Sequence, residues 1–203
     1  MMAFMCAVVK KIDEVITTPI SFVATTGAID HIGARPVYVD TGKDLNIDPK
    51  LIEQAITKKT KAIVPVHWSG RIAEMDSIMK ISKKYNIPVI EDSAQTMGAF
   101  YRNQHGGTFG LAGAISCHPL KNLNALGDGG LLLTNDDELA IKVRRYRNHG
   151  LEGRDNCVEY GVNSRLDVLN AEVLNFRLTK LDEVVLRRQN NVKLYRELIK
   201  TDK

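Results

Sequence analysis

Between Glu14 and Glu91 the sequence alternates short apolar runs with segments of helical spacing, and this alternation limits the chain to few architectures. The runs Glu14–Thr17, Pro36–Val39, Ala62–Val66 and Val89–Glu91 read as strands. The segments between them predict helices. One has Ser21 as its cap and extends to Gly33; a second opens on Asp48 and Pro49 and extends to Ile56. The third covers Glu74 to Tyr85, with Ile72, Met75, Ile78, Met79 and Ile81 at helical spacing. Strands joined by helical crossovers pair in parallel, so a sheet with helices on both faces is expected.

Two further strands, Ala114–Cys117 and Gly130–Thr134, are joined by a loop without helical periodicity. Such a connection is too brief for a crossover, and one of the pair should therefore run antiparallel. Asn135 then reads as the cap of a helix to Arg147, and Leu166 to Lys200 reads as almost wholly helical. Met1 to Val9 looks like the tail of a helix, and the last helix ends in charged residues. The chain thus reads as cut at both ends, with apolar surface on both terminal helices.

Composition narrows the function classes. The chain has 203 residues, 44% of them hydrophobic and 26% charged, which suits one soluble core. Its net charge of +4 is dispersed over Lys10, Lys11, Lys58, Lys59, Lys83, Lys84 and Arg144, Arg145, Arg147, which argues against a nucleic-acid stripe. Cys6, Cys117 and Cys157 are too widely spaced for a metal site or a disulfide framework, so a reducing cytoplasm is expected and no metal. The apolar start at Met1–Val9 is too short for a bilayer and lacks the features of a secretion signal.

Ligands of open α/β sheets collect beyond the carboxyl ends of the strands. Asp92 lies there, in the run Val-Ile-Glu-Asp-Ser-Ala-Gln. Lys121 lies in the loop after the next strand, in Ser-Cys-His-Pro-Leu-Lys-Asn, with Ser116 at the strand's end. The run Gly127-Asp128-Gly129-Gly130 would let the backbone turn tightly and approach a bound group. It fits neither the dinucleotide nor the P-loop spacing. A lone loop lysine is ordinarily a solvated charge, and a lone acid after a strand is ordinarily a cap. Together, a lysine amine, a carboxylate and a hydroxyl are the types that pyridoxal 5'-phosphate (PLP) needs for a Schiff base, a ring-nitrogen partner and a phosphate donor.

These motifs, with Gly107-Thr108-Phe109-Gly110, Arg147-Asn148-His149-Gly150 and Gly161-Val162-Asn163-Ser164-Arg165-Leu166-Asp167, resemble the DegT/DnrJ/StrS-type sugar aminotransferases. The resemblance covers most of the chain. It implies the large domain of the aspartate-aminotransferase type, a three-layer α/β fold with a mostly parallel sheet, incomplete here. Residues 1–165 would form the cofactor domain, and residues 166–203 a helical segment leading toward a small domain.

The resemblance makes Lys121 the catalytic, cofactor-bearing lysine and Asp92 the partner of the pyridine nitrogen. Gln95 would lie near the ring oxygen, Ser116 at the phosphate and Phe22 against the ring face, while Asn163 would reach the phosphate of a neighbouring subunit in a homodimer with shared sites. His67, Trp68 and His118 fall near substrate-binding positions, although packing roles suit them equally. The implied reaction moves an amino group from an amino acid, glutamate in the first instance, to a nucleoside-diphosphate keto-sugar. Some relatives carry histidine at the lysine position and remove a hydroxyl, so a sugar dehydratase is the alternative, as is a non-catalytic homologue. The family's Gly-Thr-Ala phosphate turn, expected just before the helix at Met1, is not in the sequence. Cys117 and Asn124 stand where an aromatic residue and a glycine are more usual.

Overall fold

The computed structural model describes residues 1–7 and 9–199. Its strands are β1 (Glu14–Thr17), β2 (Arg35–Tyr38), β3 (Thr60–Ile63), β4 (Ile90–Asp92), β5 (Phe100–Tyr101), β6 (Gln104–His105), β7 (Ala112–Ser116), β8 (Gly130–Leu133), β9 (Leu151–Glu152) and β10 (Asn156–Cys157). The helices are α1 (Met2–Cys6), α2 (Val23–His31), α3 (Pro49–Ala55), α4 (Met75–Tyr85), α5 (Asp137–Tyr146), α6 (Val168–Leu178) and α7 (Leu181–Leu198). Among the described residues, no helix is long and apolar enough to cross a membrane.

Strands β2, β1 and β3 form a parallel ladder, and β4, β7 and β8 a mixed one in which β4 and β7 are parallel. Parallel bridges from Ile63 to Val89 and from Val66 to Asp92 join them into one sheet of order β2-β1-β3-β4-β7-β8. As the short loop between them predicts, β8 runs antiparallel to β7. The small hairpins β5–β6 and β9–β10 are too short to register as sequence runs.

Alternation along the central strands divides the core in two, because successive side chains of a strand point to opposite faces. Val15, Ala62, Val64, Ile90 and Ala112 join Phe4 of α1, Ile29 of α2, and Leu139 and Val143 of α5. On the other face Ile16, Ile63 and Val89 meet Ile52 of α3 and Met75, Ile78 and Ile81 of α4. The result is the three-layer α/β architecture expected, with its parallel centre covered on both sides.

Apart from small shifts at the ends of most elements, three features differ from the sequence expectation. Ser21 does not cap α2: the cap position is Phe22, without a side-chain bond, and the Ser21 hydroxyl turns to Thr25. Asp136, not Asn135, caps α5, its carboxylate accepting from the Leu139 amide at 2.8 Å. The segment expected as a single helix to Lys200 is two helices, separated at Thr179 and Lys180. No Gly or Pro marks that break; the chain turns there so that both Leu174 and Leu181 become buried. Lys200 itself lies outside the described residues.

Of the terminal helices, α1 buries Ala3 and Phe4 and leaves Met5 part-exposed. By contrast, α7 exposes Leu186, Leu194, Tyr195 and Leu198.

Ile63 has no exposed surface and sits where β3 meets the α3–α4 layer. Ile63→Ala should lower unfolding stability by about 2–5 kcal/mol, read as a lower urea midpoint with unchanged slope.

Candidate active site

The parallel register of β4 on β7 pairs Asp92 with Ala114, and the Ser93 amide donates to the Ala114 carbonyl at 2.9 Å. Ser116 ends β7 two residues later, and the loop carrying Lys121 follows. The acid, the hydroxyl and the lysine loop therefore share the carboxyl edge of neighbouring strands. A further bond ties the two loops together: the Asn122 side chain donates to the Met97 carbonyl at 3.3 Å.

Beneath that bond lies a small core of Cys117, Leu123, Ala125 and Leu174, with Met97 and Leu166 packed on it. Arg177 of α6 clamps the loop from the far side, its guanidinium donating to the Asn124 backbone carbonyl at 2.5 Å and side-chain oxygen at 2.6 Å. Asn124, which stands where a glycine is more usual, thus gains a partner of its own. The Lys121 amide closes a turn onto the His118 carbonyl at 2.8 Å, and Lys121 itself is half-buried.

Asp92 is held on both of its oxygens. Thr25 donates its hydroxyl to Oδ2 at 2.5 Å, and the Ala94 amide donates to Oδ1 at 3.1 Å. The backbone of Asp92 is pinned as well, its amide donating to Pro65 and its carbonyl accepting from His67. Each carboxylate oxygen retains acceptor capacity for one more donor.

The remaining expected residues fall into two groups. Phe22 is 73% exposed at the start of α2, only three residues from Thr25. Gln95 is exposed and lines a cleft of about 420 Å³ with Ser69, Gly70 and Asn122, across from α7. Trp68 is half-buried, its amide held by the Asn46 side chain at 2.9 Å, and His118 is exposed. Asn163 is exposed, its backbone bridged to Asn148 and its side chain accepting from Arg165 at 3.1 Å.

His67 does not face the cleft. It is buried at 1% exposure, with Nε2 2.9 Å from Glu91 Oε2 and Nδ1 accepting from the Ala73 amide at 3.2 Å. An accepting Nδ1 requires the ring's proton on Nε2, so a neutral imidazole donates to Glu91 and has no nitrogen left for a ligand. Within the glycine run, Gly130 has a packing role. A side chain at Gly130 would lie 2.9 Å from the Ile115 carbonyl, so glycine there lets β8 pack against β7.

Two residues that organise the site escaped the sequence reading. Thr25 is one. The other is Glu91, which has no exposed surface and accepts four N–H bonds: Oε2 from His67 and the Gly107 amide (2.8 Å), Oε1 from the Phe109 (2.7 Å) and Gly110 (2.8 Å) amides. Four donors with no competing acceptor fit an ionised carboxylate. The signal was present: a glutamate inside a strand buried on both faces needs partners, and the Gly107-Thr108-Phe109-Gly110 turn supplies three of them.

Residues 1–202 match the sequence model of the DegT/DnrJ/EryC1/StrS aminotransferase family. The chain belongs to that family. It is 45% identical over 188 residues to a pleiotropic regulatory protein of Geobacillus stearothermophilus, covering 92% of this chain and 50% of that protein. It is also 45% identical over 178 residues to the UDP-2-acetamido-2-deoxy-3-oxo-D-glucuronate aminotransferase of Pseudomonas aeruginosa, covering 87% of this chain and 50% of that enzyme. The structure resembles NtdA of Bacillus subtilis, solved with bound cofactor PMP, at a TM-score of 0.82 and 34% identity, covering 89% of this chain and 41% of NtdA. The chain spans about half the length of the curated relatives it matches. The fold is that of the fold-type-I PLP transferases, and the resemblance drawn from the motifs holds.

Burial also sorts the cysteines. The thiol of Cys117, with no exposed surface, is pushed above its ordinary value by desolvation, as is half-buried Cys6, where Glu159 adds a smaller upward push. Cys157 is exposed. Iodoacetamide at neutral pH should therefore modify Cys157 first, with Cys6 and Cys117 following only at higher pH or on unfolding, as mass spectrometry of peptides would show.

Glu91→Gln turns an amide NH2 toward donors that need an acceptor. The loss should be about 3 kcal/mol or more, measured by urea unfolding, with faster amide exchange at Gly107, Phe109 and Gly110.

Proposed function

We propose that this chain is the cofactor-binding half of a PLP-dependent aminotransferase that moves an amino group from an amino acid, with glutamate as the donor, to a nucleoside-diphosphate keto-sugar. The observation that carries the reading is the pairing of β4 with β7, which sets Asp92 and the Lys121 loop at one sheet edge and braces them through Asn122 and Met97. The donor set suits PLP. A carboxylate with free acceptor capacity, a half-buried lysine and a half-buried hydroxyl at Ser116 match a ring nitrogen, an aldehyde and a phosphate.

When bound, PLP supplies a ring that withdraws electrons from the carbon bearing the amino group. Asp92 keeps the ring nitrogen protonated, which makes that withdrawal effective. Lys121 would hold the cofactor through Nζ, and the same Nζ, as a free amine, would be the base that moves a proton. Ser116 would donate to the phosphate, Phe22 would cover a ring face, Gln95 would approach the ring oxygen, and Asn163 would contribute to the site of a second subunit. Trp68 and His118 border the sugar side. Residues 1–165 act as the cofactor domain, and residues 166–203 lead toward the rest of the enzyme.

The P. aeruginosa relative is named for a 3-oxo sugar, which supports a 3-keto substrate here. Lysine at position 121 favours amination over dehydration.

Adding PLP to the purified chain should produce a visible absorption band that borohydride reduction traps on Lys121, and Lys121→Ala should abolish it. Absence of the band in the unmodified chain would overturn the reading for this chain, and a band indifferent to Lys121→Ala would overturn the lysine's role.

A further inference from the structure

The Asp92 carboxylate is fixed from outside its own loop. Thr25, 6% exposed, reaches it from the first turn of α2, and the bond of 2.5 Å crosses from that helix layer to the sheet edge. Ser21 Oγ lies 2.6 Å from Thr25 Oγ1. The direction of these bonds follows from their inventory. An ionised Asp92 can only accept, so the single hydroxyl proton of Thr25 is committed to Oδ2, and Thr25 then accepts from Ser21. Ser21 has a second acceptor in the Phe22 carbonyl at 3.1 Å.

We infer that Thr25 is a positioning residue whose hydroxyl, supported by Ser21, holds the Asp92 carboxylate in the orientation that meets the cofactor's ring nitrogen. The inference rests on the reading of Asp92 as the nitrogen's partner. Three observations support it. A carboxylate on a free loop would rotate about its side-chain bonds, but here one oxygen is held by an adjacent amide and the other by a helix, so only the remaining lone pairs face outward. Thr25 is buried at the site edge, where a valine would satisfy packing equally; the hydroxyl is explained by Asp92. Finally, the turn that carries Thr25 also carries Phe22, so one rigid element sets both the ring-facing aromatic and the acid.

The test compares Thr25→Val, which keeps the shape and removes the hydroxyl, with Thr25→Ser, which keeps the hydroxyl, each alone and combined with Asp92→Asn. Without cofactor, Thr25→Val should lower the melting temperature by about 3–8 °C. It should lower it much less in the Asp92→Asn background, and Thr25→Ser should fall near the unmodified chain. Titrated with PLP and followed by absorbance, Thr25→Val should raise the dissociation constant about tenfold. Thr25→Ser should restore it, and Asp92→Asn should remove the difference between Thr and Val.

Equal losses in both backgrounds, or a valine variant that binds PLP as tightly as the unmodified chain, would overturn the inference. If the unmodified chain fails to bind PLP, the proposed function fails for this chain; the cofactor-free melting cycle still decides whether Thr25 holds Asp92.

Discussion

A fully buried carboxylate inside a parallel sheet is an expensive object, and the arrangement of the site follows from how Glu91 is satisfied. Its four N–H partners come from three places: the ring of His67 after β3, the Gly107 amide, and the Phe109 and Gly110 amides just before β7. Because each bond is directional, Glu91 fixes the turn that feeds β7 and the chain that leaves β3, both relative to β4. Gly110 passes so close to the Val89 carbonyl that any side chain there would collide with it. The glutamate thus fastens the strand that bears the acid to the strand that delivers the lysine, while its own charge is neutralised by N–H dipoles.

The parity of β4 explains why two adjacent acids have opposite roles. Ile90 faces the layer of α1, α2 and α5, and Glu91 the layer of α3 and α4. Asp92 returns to the first layer, where Thr25 of α2 meets it. One residue of register separates a carboxylate committed to three backbone amides and the His67 ring from one that keeps acceptor capacity for a further donor. A one-residue slip in this strand would bury the site acid and expose the structural one.

The fold was legible in the sequence because its strongest signals are long-period ones. The spacing of Met75, Ile78 and Ile81 is produced by a buried helical face, and the run Glu14–Thr17 coincides with β1 at both ends. The shared edge of Asp92 and the Lys121 loop was legible because motif order and strand ends point there. Thr25 and Glu91 were not. Thr25 lies 67 positions from Asp92 in the chain, and a threonine near a helix start has a local explanation that needs no distant partner. The break between α6 and α7 was hidden for a related reason, since no residue at Thr179 or Lys180 breaks a helix by itself and only the burial of Leu174 and Leu181 requires the turn. His67 resembled a ligand residue because its partners at positions 73 and 91 are invisible until the sheet is assembled.

The division between satisfied and unsatisfied groups also shows how complete the site is in this chain. Everything that places Asp92 is internal: Thr25, Ala94, Pro65 and the backbone of His67. Everything that places the Lys121 loop is internal too, from the Asn122 bond to the clamp of Arg177. Phe22 and Asn163, by contrast, remain exposed, and the cleft beside Gln95 is walled on one side by the cationic Arg188, Lys193 and Arg196 of α7. The Asp92 carboxylate and the backbone of the Lys121 loop, proposed to serve the cofactor's ring nitrogen and aldehyde, are therefore preorganised by bonds within the chain. Phe22 and Asn163, proposed to meet the ring face and a neighbouring subunit's phosphate, are presented on the surface, so on the proposed reading the acid and the lysine loop are placed in advance while enclosure depends on whatever covers that surface.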